Sequence, residues 1–594
     1  MKLGFFSILL FFFITCWGQE DFLAKQYFND GDFEKAVVFY KSLTDKNPRR
    51  SDYAEGLVAC YQQLEKYKEA EEFLLKRLHQ GSPYPTVFIE LGYNYQLQKE
   101  NEKASQYYEK ALSRIEENPN YGYGIGFKFQ RLILLDYALR AYERAMELNP
   151  KLDYNFQMAR IYGEQGNVEK MYESYLELIK KGKASQTNVL RNLDNFISED
   201  PNDPNNISLK RTLLLKAQNN PDILWNEVLS WLFVKQKQYL SAFNQEKAIY
   251  KRSEGRSLNR ISGLGDMAFD NDALEDAAII YTYIDKNSAD PVAKLNANLS
   301  LIDIELLDET SRNLDKINKE FELLIEEYGY ENQTLQLQIA YANFLTFKRN
   351  EAEKAIEILK QCLSLPLDRF SVAYVKLALG DILVFNQRFN EALIYFSQIQ
   401  RSLKNDILGQ NARFKVAQTS FYKGDFEWAL TQLKVLRSST SQLIANDAMQ
   451  LSLLISDNSL EDSTQTALKK YAKADLLAYQ QNTKEAIEVL NDILENHKGE
   501  KIEDEALMKQ GELFEGIKDY TAAEMNYLKV VTFYENDILA DDAHFALAEL
   551  YRTVLNQPNK AKEHYEKIIY NFQDSYYFPE ARKKFRILRG DILN

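Results

Sequence analysis

The chain has 594 residues, 45% of them hydrophobic and 27% charged, which is globular usage, excludes extended disorder and is too long for one ordinary core. With 73 Lys and Arg against 87 Asp and Glu, the net charge of −14 opposes binding to phosphate backbones and anionic lipid, so nucleic acid is not an expected partner. Only 23 Gly and 12 Pro disfavour an all-β chain with its many tight turns and favour helices joined by short loops.

The chain begins with Lys2, an apolar run from Leu3 to Ile14, and small residues Cys16 and Gly18 spaced for signal peptidase. This is the pattern of a Sec signal peptide over residues 1–18, cleaved before Gln19. The run is shorter than the roughly 20 residues of a membrane span, and no later segment is apolar enough to cross one. Cys16 is an alternative lipidation site, although Thr15 is bulkier than the residue usual before a lipidated cysteine. Once the leader is removed, Cys60 and Cys362 remain, too far apart in a linear array to be bridged, and both fall on apolar helix faces. Export without disulfides suits a bacterial periplasm.

From residue 19 onward a small residue recurs: Ala36, Ala70, Ala104 and Ala138 are each 34 residues apart. Other landmarks keep phase with it, such as Leu91-Gly92, Tyr95, Tyr108 and Ala111 around Ala104, and Tyr142, Ala145 and Pro150 around Ala138. Alanine or glycine at such positions lets two helix backbones approach closely, while aromatic residues fill the space beside them. Asn29-Asp30-Gly31-Asp32, Glu164-Gln165-Gly166-Asn167 and Tyr422-Lys423-Gly424-Asp425 supply the turns. A fifth unit carries Met171 where the others have alanine, and the pattern fades between Lys183 and Pro221, with a boundary or an irregular helical insert expected at 198–206. A degenerate unit follows around Ala242 and a good one around Ala277; the stretch from Lys294 to Glu331 is helical but poorly matched, and the register returns at Ala355, Ala392 and Ala429. A polar run from Ser456 to Thr466 precedes three lengthened units centred on Ala486, Ala523 and Ala561.

A 34-residue helix-turn-helix period with this small-residue pattern resembles the tetratricopeptide repeat (TPR) family over about two thirds of the chain. The resemblance implies an all-α, right-handed α-solenoid of TPR hairpins. The lengthened units, with Tyr534, Tyr570, Asp574-Ser575 and Pro579-Glu580-Ala581, resemble those of TPR-bearing envelope proteins of Gram-negative, Bacteroidetes-like bacteria. Asp462-Ser463-Thr464 resembles the short O-glycosylation acceptor of such proteins, at Ser463 or Thr464. The organisation that follows is a leader at 1–18, an N-terminal array at 19–183, divergent helical repeats at 184–334, middle units at 335–455 and C-terminal units at 456–594.

Catalysis needs convergent titratable groups, and the four histidines, His79, His497, His544 and His564, do not make a site. His544 and His564 fall on neighbouring helices and can meet, but no third ligand accompanies them. No phosphate-binding loop, dinucleotide-binding glycine pattern, nucleophile elbow or zinc-protease motif is present, so no catalytic residue, cofactor or metal is assigned. A solenoid of this kind presents the first helix of each hairpin along a concave groove. In the unit around Ala104 the groove positions are Thr86, Ile89, Tyr93 and Gln96; in the unit around Ala392 they are Tyr374, Leu377, Asp381 and Val384. Members that clamp a C-terminal carboxylate carry Lys and Asn there, whereas this chain has Lys25, then Ala59 and Tyr93, which does not support the clamp. The expectation is a non-enzymatic scaffold, periplasmic or associated with the outer membrane, that binds a protein partner in the groove; the alternative is a peptidoglycan- or glycan-associated envelope factor whose aromatic groove stacks on sugar rings.

Overall fold

The computed structural model describes residues 20–79, 84–253, 257–308, 312–437, 441–459 and 464–591. The leader-like segment with Cys16, and Ser463 of the glycosylation motif, lie outside the described residues. Among the described residues the regular structure is helical, with no strand. The chain divides into two compact units, Met1–Ile280 and Tyr281–Asn594.

The first unit is a stack of antiparallel hairpins. The helix at 20–29 pairs with Phe33–Lys46, Ser51–Gln63 with Tyr67–His79, Thr86–Leu97 with Asn101–Glu117, Tyr121–Arg131 with Leu135–Leu148, and Asn155–Glu164 with Val168–Lys180. Ala36, Ala70, Ala104 and Ala138 occupy the same place on four successive second helices, and all are buried. The register read from the sequence is therefore the packing register, and Met171 is buried at the same place in the fifth. The irregular insert follows as Gln186–Asp194 and Pro204–Asn219; from the first turn of the second, the buried Asn206 side chain donates to the Ser198 and Asp200 carbonyls at 2.8 and 2.7 Å, satisfying turn groups that lie between the two helices. Ile223–Lys235 and Tyr239–Arg252 resume the hairpins.

The turn inside each hairpin is left-handed at one fixed register. Gly31, Gly166 and Gly424 take positive φ there, and so do Glu65, Lys99, Ile133, Gln387, Gln481 and Lys518. The hydrogen bonds repeat with it: the amide after the left-handed residue donates to a carbonyl five residues back, as in Lys66 to Tyr61, Glu100 to Tyr95 and Leu134 to Phe129. This Schellman closure satisfies the last carbonyls of the first helix and reverses the chain within three residues.

Glycine has its own place on the first helices. A Cβ built on Gly92 would lie 2.5 Å from the Tyr108 ring, and one on Gly380 would lie 2.4 Å from the Phe396 ring. Gly126 faces Tyr142 and Gly511 faces Tyr527 in the same way, always sixteen residues on. Where the first helix carries a larger residue, as at Ala417 and Ala474, the opposite position holds leucine, Leu433 and Leu490, all buried. Volume is thus shared across the crossing.

In the second unit Leu335–Phe347 pairs with Ala352–Cys362, Arg369–Phe385 with Phe389–Ser402, and Ile407–Lys423 with Phe426–Leu436. Aspartate side chains cap the starts of two of the first helices, Asp368 accepting from the Phe370 amide at 2.8 Å and Asp406 from that of Leu408 at 2.9 Å. Gln442–Ser459 then has no hairpin partner, because the next helix, Thr466–Tyr479, packs back on Ile407–Lys423 and pairs with Thr483–Asn496. Ile502–Gly516 with Tyr520–Phe533, and Ala540–Thr553 with Pro558–Asn571, complete the array, and Phe578–Arg589 covers its end. Cys60 and Cys362 are buried free thiols, the pKa of each pushed up by burial, to about 12 and about 11.

Candidate functional site: the faces of the first helices

In the first unit, side chains from the first helices of three successive hairpins meet. The Lys128 ammonium lies 2.7 Å from Glu90 and 3.0 Å from Glu55, and Arg131 lies 3.3 Å from Glu55. Groups two repeats apart touch only where a stack curves inward, so this ladder marks the concave side. Glu90 is buried, which raises its carboxyl pKa while Lys128 opposes the rise. Removing Lys128 would strand that carboxylate, a change of the kind that costs about 3–5 kcal/mol.

Beside the ladder lies a row of exposed rings. Tyr84, Tyr123 and Phe127 are 51, 48 and 45% exposed, whereas Phe156 packs edge-on against Tyr175 on the second helix of its own hairpin at 6.1 Å. Tyr123 and Phe127 lie parallel, 6.0 Å apart, and Tyr84 meets Tyr121 edge-on at 5.6 Å. Glycine at 124 permits this, since a Cβ there would fall 2.4 Å from the Tyr84 hydroxyl. Exposed aromatic faces beside fixed charges form a surface suited to apolar side chains flanked by polar ones.

The residues assigned to the groove from the sequence fare unequally. Thr86 and Tyr93 are half-buried on this face. Gln96 is half-buried too, but its Oε1 accepts from the Tyr108 hydroxyl at 2.7 Å and is committed within its own repeat. Ile89 is fully buried and is not free to meet a partner; position and charge pattern alone did not reveal how far the next hairpin covers it. Tyr123 and Phe127, which were not assigned, stand 34 residues after Ile89 and Tyr93, so the same register carried one repeat further finds them.

In the second unit the expected groove is filled by the chain itself. Phe347 packs edge-on against Phe385 at 5.2 Å and against Tyr479 at 5.7 Å. The Tyr479 hydroxyl donates to the Asp381 carbonyl at 3.1 Å and Gln480 to the Phe385 carbonyl at 2.6 Å. Leu377 and Val384 are accordingly buried, and the Asp381 carboxylate pairs with Lys415 at 3.0 Å. Burial raises the Asp381 pKa while Lys415 opposes it. Of that quartet only Tyr374 is well exposed.

Among the described residues no three His, Cys, Asp or Glu are placed to hold a metal ion, and no helix is long and apolar enough to cross a membrane. His544 and His564 do meet, with their Nδ1 atoms 2.9 Å apart. Lys25 pairs with Asp21 at 3.0 Å.

Tetratricopeptide repeat models match residues 85–118, 471–538 and 542–575. The chain carries such repeats in both units. It is 25% identical over 252 residues to a TPR repeat-containing protein of Methanocaldococcus jannaschii, covering 39% of this chain and 44% of that one. It is 25% identical over 125 residues to the general transcriptional corepressor trfA of Dictyostelium discoideum, covering 21% of this chain and 9% of that one. The chain thus spans less than half the length of these curated relatives. Among solved structures, the APC/C hetero-tetramer Cut9-Hcn1 aligns at 14% identity over 88% of this chain and 95% of that one, with a TM-score of 0.26. Naa15/Naa10 bound to HypK-THB aligns at 12% identity over 97% and 100%, with a TM-score of 0.25. These scores are too low to carry a shared arrangement.

Proposed function

We propose that this protein is a non-enzymatic scaffold of the bacterial cell envelope that holds a protein partner on the concave face of its first unit. The observation that carries the reading is the exposed row Tyr84, Tyr123 and Phe127 beside the Glu55–Lys128–Glu90 ladder. Rigid rings lose little side-chain entropy on binding, and fixed charges select against wrong partners, so the two together favour a specific protein contact. The leader-like pattern of residues 1–18 supports export to the periplasm or the outer-membrane surface.

The test is recovery of partners from the native cell with the tagged full chain and with Tyr123→Ala/Phe127→Ala. Loss of a defined partner with helicity unchanged supports the reading, and full recovery removes it. The parallel Tyr123–Phe127 pair also has the geometry of a sugar platform, so binding of the parent but not the variant to purified cell-wall fragments would favour the glycan alternative. Cell fractionation and mass spectrometry of the mature N-terminus test the location: a chain starting at Gln19 in the envelope fraction supports it, and an uncleaved cytosolic chain removes it.

A further inference from the structure

The unpaired helix Gln442–Ser459 breaks the rhythm of the second unit and leaves a hollow of about 560 Å³ between it and the helices Ile407–Lys423, Thr466–Tyr479, Ile502–Gly516 and Ala540–Thr553. That is within the range of about 300–1,000 Å³ usual for ligand pockets. Its apolar wall includes Phe414, Leu451, Leu454, Met508 and Leu539. Its polar wall is one-sided: Asp447, Asp457, Asp475, Glu505, Glu512 and Asp542 face it, against Lys509 alone. Lys509 lies 2.9 Å from Asp475 and 3.7 Å from Glu512 and has no more charge to give.

One group in the wall lacks a partner. Glu505 Oε1 accepts from Asn458 at 3.1 Å, but Oε2 is buried without a hydrogen bond. Tyr471 also lines the hollow, near Asp475, Glu512 and Glu505. Burial and mutual repulsion disfavour the ionised form of these acids: the Glu505 pKa is pushed up to about 9, first by burial and then by Asp504, that of Asp542 to about 6, first by burial and then by Asp541, and that of Glu512 is also raised, first by burial. No three of the carboxyls are placed to hold a metal ion. What the hollow lacks is a positive charge on an apolar stem.

We propose that this hollow receives a lysine- or arginine-bearing segment of a partner protein, the stem of the basic side chain on Leu454, Met508 and Leu539 and its cationic head among Asp475, Glu505 and Glu512. The proposal rests on the scaffold reading and gives it a second, chemically defined contact. Apolar walls and a volume larger than one side chain favour a peptide segment over a small polyamine. Docking of the cation replaces the protons held on Glu505 and Asp542, so binding releases protons and strengthens as pH rises from 5 to 8, with Asp447, Asp457, Asp475, Glu512 and Lys509 as the other charged groups facing the site.

The experiment is fluorescence anisotropy of the full chain with a fluorescein-labelled Leu-Lys-Leu-Lys-Leu peptide, with a glutamate version as control. Glu505→Gln, and separately the wall variant Asp447→Arg, should each weaken binding tenfold or more while helicity is unchanged, and the glutamate peptide should not bind. Equal binding by the variants, equal binding of the glutamate peptide, or displacement by spermidine at the peptide's own concentration overturns the proposal. Tyr123→Ala/Phe127→Ala should leave the titration untouched. If the peptide fails while partner recovery still depends on Tyr123 and Phe127, the hollow alone is refuted; if recovery is independent of those rings, it is the scaffold reading that falls.

Discussion

Gly380→Ala tests the sharing of volume across the hairpin crossing. In an open helix this substitution stabilises by about 1 kcal/mol, because alanine gives up less backbone entropy. At position 380 the new methyl would stand 2.4 and 2.5 Å from two atoms of the Phe396 ring, where ordinary contact is 3.4–4 Å. The ring is fully buried and has no solvent to turn into, so the helices must separate by about an ångström. Overpacking of that kind costs about 1–3 kcal/mol. Against the propensity gain, the net expected loss is about 0–2 kcal/mol, in place of the gain of about 1 kcal/mol expected of an open helix. Adding Phe396→Leu recreates the pairing seen at Ala417 with Leu433 and Ala474 with Leu490, so in the leucine background Gly380→Ala should turn stabilising by up to about 1 kcal/mol. Arrays of repeats unfold in steps, so urea titration should be joined to hydrogen exchange of peptides from 369–402. A single variant more stable than the parent by the full propensity gain of about 1 kcal/mol, or an effect of Gly380→Ala that is the same in the phenylalanine and leucine backgrounds, would refute the reasoning.

Ile133, β-branched, 80% exposed and held at φ 59°, stands where other hairpins use glycine, so Ile133→Gly should stabilise by about 1 kcal/mol in thermal melts; a loss would show that the side chain contributes contacts there. Glu505 has its folded pKa raised to about 9, so its contribution is present below the unfolded value near 4.5 and is lost as pH rises toward 9. Glu505→Gln should therefore match the parent melting temperature near pH 5 and exceed it increasingly up to pH 9; a difference independent of pH would contradict the assignment. For His544 and His564, burial first, then for His544 the neighbouring His564 and for His564 the nearby Lys560, depress both pKa values to about 4. Stability of this hairpin is present above the unfolded value near 6.5 and is lost as pH falls toward 4, so hydrogen exchange across 540–571 should quicken between pH 7 and pH 5 relative to 86–117.

The hairpin register was legible because small residues at fixed intervals have one steric explanation, and Ala36, Ala70, Ala104 and Ala138 prove equivalent in burial. The turn register was half legible. Gly31, Gly166 and Gly424 announced left-handed residues, whereas Glu65, Lys99 and Ile133 adopt the same φ because the surrounding packing outweighs local preference. Groove residues were the least legible. Periodicity tells which face of a helix a side chain occupies, but not how deep the neighbouring repeat sits on it, so Ile89, Leu377 and Val384 were assigned to a surface that they lie beneath. The filling of the second unit's face by Tyr479 joins residues 98 positions apart and leaves no local trace in the sequence. The hollow behind Gln442–Ser459 follows from an unpaired helix; the polar run at 456–466 signalled the interruption, but not which walls it would bring together.

The most direct test of the concave-face account is site-specific photocrosslinking in the native cell, with the crosslinking residue at Tyr123 on the ring row or at Val38, 66% exposed on a second helix. The account predicts a discrete protein adduct from position 123 that disappears when Phe127→Ala is added, and none of that adduct from position 38. The same adduct from both positions, or an adduct at 123 indifferent to Phe127, would contradict it.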